Sequence, residues 1–191
     1  MGAPEILVAS SDKAPAFAGS LRGRFIRTMP ISIGGVPKHE LIEQVSRVRS
    51  ISPYAKRIMK HEAFATLARR ETALQIVLTP EDLGFGDRPT IAEMLDNERL
   101  AAWSVDNLDG WQVTLNPAEA GPHLAIQYTG QPQNEFLWMG MERIPGSGGR
   151  PYVFYLERND EDGYSLDAHW TYPYALWRLD YLVAFRLRKV S

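Results

Sequence analysis

Apolar positions change their period several times along this chain, and each change marks an element. Phe25, Met29, Ile31 and Ile33 fall on a strand pattern around Pro30, which cannot donate to a ladder, and Gly34-Gly35 supplies the turn that follows. After Pro37, Leu41, Ile42, Val45 and Val48 recur at helical spacing, with Lys38, Arg47 and Arg49 off the stripe. Ser52-Pro53 opens a second helix, a capping serine with proline at the first helical position; it runs toward His61 with Tyr54, Ile58 and Met59 inward. Residues 71–79 read as a strand. Thr79-Pro80-Glu81-Asp82 predicts a short helical turn ended by Gly84. Thr90-Ile91-Ala92-Glu93 is a capping box opening a helix to about Ala102, with Ile91, Met94, Leu95 and Leu100 inward.

Beyond Gly110 the pattern predicts β-structure: strands at 111–115, 124–128, 136–141, 152–157, 164–170 and 182–190, several separated by turn-rich spacers at 129–133, 145–149 and 159–163. In the last of these Val183, Phe185 and Leu187 alternate with Ala184, Arg186 and Arg188, which predicts one buried face and one wet face. The expected fold is α+β, with N-terminal helices packed on a mainly antiparallel sheet, as a single domain over 25–191 behind a flexible tail at 1–24.

Composition narrows the function classes. The chain of 191 residues has no cysteine, so disulfides, thiolate metal sites and cysteine nucleophiles are excluded. Residues 1–11 have no basic region and only the short apolar run Ile6-Leu7-Val8, and no stretch approaches a membrane span, so the expectation is a cytoplasmic protein without membrane contact. Charge is split. Residues 1–70 carry twelve Lys and Arg against five Asp and Glu, and residues 71–191 carry nine against eighteen, so either the halves attract each other or the front meets an acidic partner. The basic stripe of Arg22, Arg24, Arg27, Arg47, Arg49, Lys56, Arg57, Lys60, Arg69 and Arg70 suggests nucleic acid, but its aromatics lie elsewhere in the chain, which argues against that partner.

Six of the eight tyrosines and three of the five tryptophans lie beyond residue 131, a density that makes either a filled core or a recognition surface. Asp167, His169, Trp170, Tyr172, Tyr174, Trp177, Asp180 and Tyr181 crowd into fifteen residues. Within a strand Asp167 and His169 share a face and Trp170 takes the other. The binding candidates are Asp167, His169, Tyr172, Tyr174, Trp177, Asp180 and Tyr181, with Tyr and Trp as rigid anchors and the polar residues as contacts. Glu119 and Tyr128 are read as structural supports.

No catalytic residue, metal site or cofactor is predicted. The four histidines, His39, His61, His123 and His169, do not pair at a metal-binding spacing, and Gly146-Ser147-Gly148-Gly149 is a hairpin loop rather than a nucleophile elbow or a phosphate cradle. The leading reading is a non-enzymatic recognition module with a protein or small-molecule ligand of undefined identity. The competing readings are an enzyme with an acid/base site near Glu119, Asp167 and His169, which requires the three to converge, and nucleic-acid association through the basic N-terminal third.

The ordered short motifs Leu78-Thr79-Pro80-Glu81-Asp82-Leu83-Gly84-Phe85, Pro117-Ala118-Glu119-Ala120-Gly121-Pro122-His123-Leu124, Gln127-Tyr128, Gln131-Pro132, Glu135-Phe136-Leu137 and Phe185-Arg186-Leu187-Arg188-Lys189 resemble a family of uncharacterised bacterial proteins over residues 50–190. Asn116 departs from it, standing where cysteine is common in that family, and the resemblance implies no activity. A more distant resemblance, carried by Pro117-Ala118-Glu119, Gly163, Leu166, Trp170 and the closing strand, is to C-type-lectin-like domains. It implies a binding surface on the aromatic segment before the last strand.

Overall fold

The computed structural model describes residues 26–160 and 163–190; the tail predicted at 1–24, with Arg22 and Arg24, lies outside them, as does Phe25. Among the described residues the chain forms strands β1 (Thr28–Ile33), β2 (Ser50–Ile51), β3 (Glu71–Leu78), β4 (Trp111–Thr114), β5 (Phe136–Met139), β6 (Ile144–Pro145), β7 (Pro151–Asn159), β8 (Gly163–Trp170) and β9 (Leu182–Lys189). The helices are α1 (Lys38–Val48), α2 (Pro53–Lys60), α3 (Ile91–Met94), α4 (Asn97–Asn107) and α5 (Ala120–Gln127). One sheet runs β1-β3-β9-β5-β7-β8-β2, with β4 added to β9 and β6 to β7. Its pairs are antiparallel except β5 with β9 and β2 with β8.

The closing strand is the centre of this sheet. Along one edge β9 pairs with β3, from Leu78↔Val183 to Leu74↔Leu187. Along the other it takes β5 at its start, Leu137↔Leu182 to Met139↔Ala184, and β4 at its end, Thr114↔Arg186 to Trp111↔Lys189. The sheet therefore forks beside Phe185. Asn116 holds the fork: its backbone N–H donates to Gly140 O at 2.7 Å and its Nδ2 donates to Ala184 O at 2.9 Å.

Both faces are covered. Against one, Leu41 and Val45 of α1, Ile58 and Met59 of α2 and Leu124 of α5 pack on Ala73, Val77, Leu137, Met139 and Ala184. Against the other, Leu83, Ile91, Met94, Leu100 and Trp177 pack on Ile76, Leu78, Val113, Val183 and Phe185. The α+β class holds, but the helices are not all N-terminal: α5 comes from mid-chain and shares a face with α1 and α2. The expectation of one wet face on the last strand holds only toward its end: Arg188 is exposed and Arg186 half-buried, whereas Ala184, on the same face, is buried. Ala184 lies under the helical layer of α1, α2 and α5, and the far end of the strand remains in contact with water.

Four local expectations change as well. Residues 124–128, read as a strand, lie mostly in α5, where Ala120 to Ala125 are buried without exception. A helix buried on every side carries no stripe, and its short apolar run looks like a central strand. The helix read over 90–102 is two helices, because the Asp96 carboxylate accepts the N–H groups of Glu98 and Arg99 and starts α4 afresh. Tyr54, expected inward, is 52% exposed at the start of α2, while Val48 ends outside the α1 stripe. The Ser52 cap and the Thr90/Glu93 capping box form as expected.

Candidate functional site

Trp138 lies on β5, between β9 and β7, opposite Val183 on one side and Tyr155 on the other. Its ring centroid is 5.0 Å from Tyr155, 5.4 Å from Trp177, 5.8 Å from Tyr181 and 5.9 Å from His169. The segment 171–181 reaches this hub because it is tied to the start of α3: Ile91 N–H donates to Ala175 O, Ala92 N–H to Pro173 O and Trp177 N–H to Pro89 O. An isolated antiparallel bridge between Thr90 and Leu176 completes the tie.

Trp138, Tyr155, His169 and Tyr181 line a groove of about 800 Å³, together with Phe136, Gln133 and Asn134 on one rim and Arg178 and Asp180 on the other. Arg178 and Asp180 form a two-bond pair, Nε to Oδ1 at 2.9 Å and Nη2 to Oδ2 at 2.8 Å. That bonding draws the Asp180 carboxyl below its ordinary range and raises Arg178. The opposite rim is anchored from below. Glu135 is buried, pairs with Arg27 at 2.8 Å and accepts from the Tyr128 hydroxyl at 3.0 Å, while Arg27 also donates to the Tyr128 oxygen. Gln131, fully buried, donates to Glu135 O and Leu156 O and accepts from Arg49 Nη1 at 2.8 Å. Burial, aided by Glu135, pushes the Tyr128 phenol up to about 12. Burial, and then the Asp167 carboxylate, pushes Tyr155 well above its usual range.

Of the sequence candidates, His169, Asp180 and Tyr181 line this groove and Trp177 packs beneath it, 3% exposed. Asp167 shares the His169 face, as its position two residues earlier predicts, but its carboxylate is engaged: it accepts from the Tyr155 hydroxyl at 3.0 Å, from Ala168 N–H at 2.6 Å and from the Ser52 hydroxyl. Tyr172 and Tyr174 stack on each other at 5.3 Å outside the groove, and Trp170 meets Tyr172 edge-on at 4.8 Å. Tyr174 is 72% exposed. Trp138, Tyr155, Phe136 and Arg178 were not among the candidates. Trp138 carried a signal nonetheless, since Leu137 and Met139 on either side of it alternate inward.

Glu119 is elsewhere. It flanks α5 on the sheet face covered by α1 and α2, while Asp167 and His169 point to the opposite face, and no described cavity is lined by Glu119 together with either of them. The convergence that an acid/base site at these three requires is therefore absent. One Glu119 oxygen accepts from Leu67 N–H at 2.9 Å and the other lies 3.5 Å from His123 Nε2, too far for a made hydrogen bond. Among the described residues no group of three or more His, Asp and Glu side chains is placed to hold a metal ion, and no helix is long and apolar enough to cross a membrane.

The basic front contributes to internal contacts. Arg27 pairs with Glu135, and Arg49 donates to Ala125 O, to Tyr128 O at 2.7 Å and to Gln131. Burial lowers the Arg49 guanidinium to about 10, which leaves it charged at neutral pH.

No family model matches the chain, and neither a curated protein nor a solved structure shows significant similarity to it.

Proposed function

We propose that this protein is a non-enzymatic recognition module and that the groove centred on Trp138 is its binding surface. The observation that carries the reading is the placement of the rings. Trp138 contacts both Tyr155 and Tyr181, all three line a groove instead of being sealed into the core, and hydrogen-bonding side chains stand on both rims. Apolar floors with a few fixed polar groups are the usual build of small-molecule and peptide sites, and aromatic anchors dominate their energetics. The ligand that fits is a peptide side chain or a small molecule with an apolar or π face toward the rings and polar groups at its edge. Tyr172 and Tyr174 extend the surface beyond the groove. The resemblance to C-type-lectin-like domains supports the same location, since it puts the binding surface on the segment that contributes Arg178, Asp180 and Tyr181; the resemblance to uncharacterised bacterial proteins adds no ligand.

The test is capture from a phage-displayed peptide library and an immobilised glycan panel, comparing the native chain with the double variant Phe136→Ala, His169→Ala. Both residues are exposed in the groove, so the fold is expected to stand, with a melting temperature within about 2 °C of the native value. Affinity for captured ligands is expected to fall about tenfold or more. Equal capture by the two proteins, or no capture by the native one, would reject the groove as the site.

A further inference from the structure

A second cleft, of about 690 Å³, lies on the opposite face of the sheet, where the end of β9 meets β4 and the chain leading into α5. Its polar lining includes Asn116, Glu119, Arg143, Arg186 and Arg188, and Leu67 and Ile144 are among its apolar walls. Cross-strand register builds part of it: Thr114 pairs with Arg186 and Gln112 with Arg188, which sets four polar side chains on one face.

Buried polar atoms without partners are few in native proteins, because each loses its hydrogen bonds to water without replacement. Three of the residues around this cleft carry one: Asn116 Oδ1, Glu119 Oε2 and Arg143 Nη1. Asn116 and Glu119 are 3% and 0% exposed. Arg186 is engaged by Glu71 at 2.7 Å, whereas Arg143 and Arg188 have no carboxylate partner among the described residues. The cleft therefore combines Asn116 Oδ1, an acceptor lacking a donor, with guanidiniums lacking anions around a partly apolar wall, while Glu119 adds a carboxylate whose Oε2 has only His123 Nε2 nearby, at 3.5 Å.

We propose that this cleft binds a small carboxylic acid that also carries an amino or hydroxyl group, the donor meeting Glu119 and Asn116 and the carboxylate meeting Arg143 and Arg188. A guanidinium fork matches a carboxylate in two-point geometry, and a volume of this size is ordinary for a small-ligand site. The site is separate from the aromatic groove and does not depend on it.

The experiment is a melting-temperature series on the full chain with the proteinogenic α-amino acids, lactate and malate as probes and acetate as the anion without a donor. At least one probe is expected to raise the melting temperature by about 5 °C at roughly a hundredfold excess over its Kd, with acetate giving no shift. Arg188→Gln, at a solvent-exposed position, and Arg143→Gln are each expected to reduce that shift at least threefold. Glu119→Gln is expected to reduce it for amino acids more than for hydroxy acids, because only an ammonium loses an opposite charge. No shift from any probe, an equal shift from acetate, or an undiminished shift in both arginine variants would overturn the proposal.

Discussion

Gly140 has no room for a side chain. A Cβ placed there would enter the ring of Phe185, while the backbone groups of Gly140 hold Ala184 and Asn116 at the fork of the sheet. Phe185 is fully buried and cannot step aside without disturbing its neighbours. Gly140→Ala is expected to destabilise by about 1–3 kcal/mol, the usual cost of overpacking, seen as a lower urea midpoint at unchanged m-value. Gly130→Ala is the control: nothing stands within 4 Å of the added carbon, and the midpoint is expected to stay. Arg49 is the converse, a long side chain whose polar contacts are internal. It donates to the last carbonyls of α5 and to Gln131, and lies 4.7 Å over the Tyr164 ring. Hydrogen bonds from a charged group contribute about 1.5–3 kcal/mol each and do not add simply, so Arg49→Met is expected to lose about 3 kcal/mol or more. Arg49→Lys should recover only part of that in the same urea titration, because an ammonium cannot fork between three acceptors.

At the scale of elements, punctuation was legible and burial was not. Ser52 and Thr90 announce their helices because a cap is a local hydrogen bond between residues three apart, and both caps form. Helix α5 is hidden because its neighbours on every side, α1 among them, come from distant parts of the chain. The exposed sheet edges show the same divide. Gln127 closes β1 by accepting from Ser32 N–H and donating to Ser32 O, both at 2.8 Å, and Ser104 of α4 accepts from Val113 N–H of β4 at 2.8 Å. Neither side chain looks like a strand partner in the sequence. Ser104 also donates to Leu100 O at 2.6 Å and is buried, so Ser104→Ala leaves the Val113 N–H without an acceptor. The expected loss is about 1–3 kcal/mol, with faster hydrogen exchange at Val113. Unchanged exchange at Val113 would mean that β4 does not need α4 to close its edge.

Over the whole molecule, the density of rings near the C-terminus was visible in the sequence, but their division was not. Trp177 went into the core, His169 and Tyr181 went to a groove, and Tyr172 with Tyr174 went outside it, because β9 returns to the centre of the sheet and draws the preceding segment across β5. Trp138, remote in sequence from that segment, became the hub through strand order alone. This long-range packing has a consequence at high pH. Tyr155 is raised above the usual tyrosine range by burial and by Asp167, and Tyr128 is raised to about 12 by burial and Glu135. In the unfolded chain both phenols ionise near 10. A group whose folded pKa is the higher one contributes stability that is complete below the unfolded value and is lost as pH rises toward the folded value. Each of these tyrosines therefore lowers stability progressively above about pH 10, since the unfolded chain releases a proton that the folded one keeps. Tyr155→Phe removes one of the two contributions and leaves the other ionisable groups in place, among them Arg49, whose lowered pKa acts with the opposite sign. The urea midpoint of Tyr155→Phe is expected to fall less steeply than that of the native chain between about pH 10 and 12, although the variant is weaker at neutral pH for want of the Asp167 hydrogen bond. Parallel slopes for the two proteins would show that Tyr155 ionises as freely in the fold as outside it, and that the groove is wetter than its ring contacts imply.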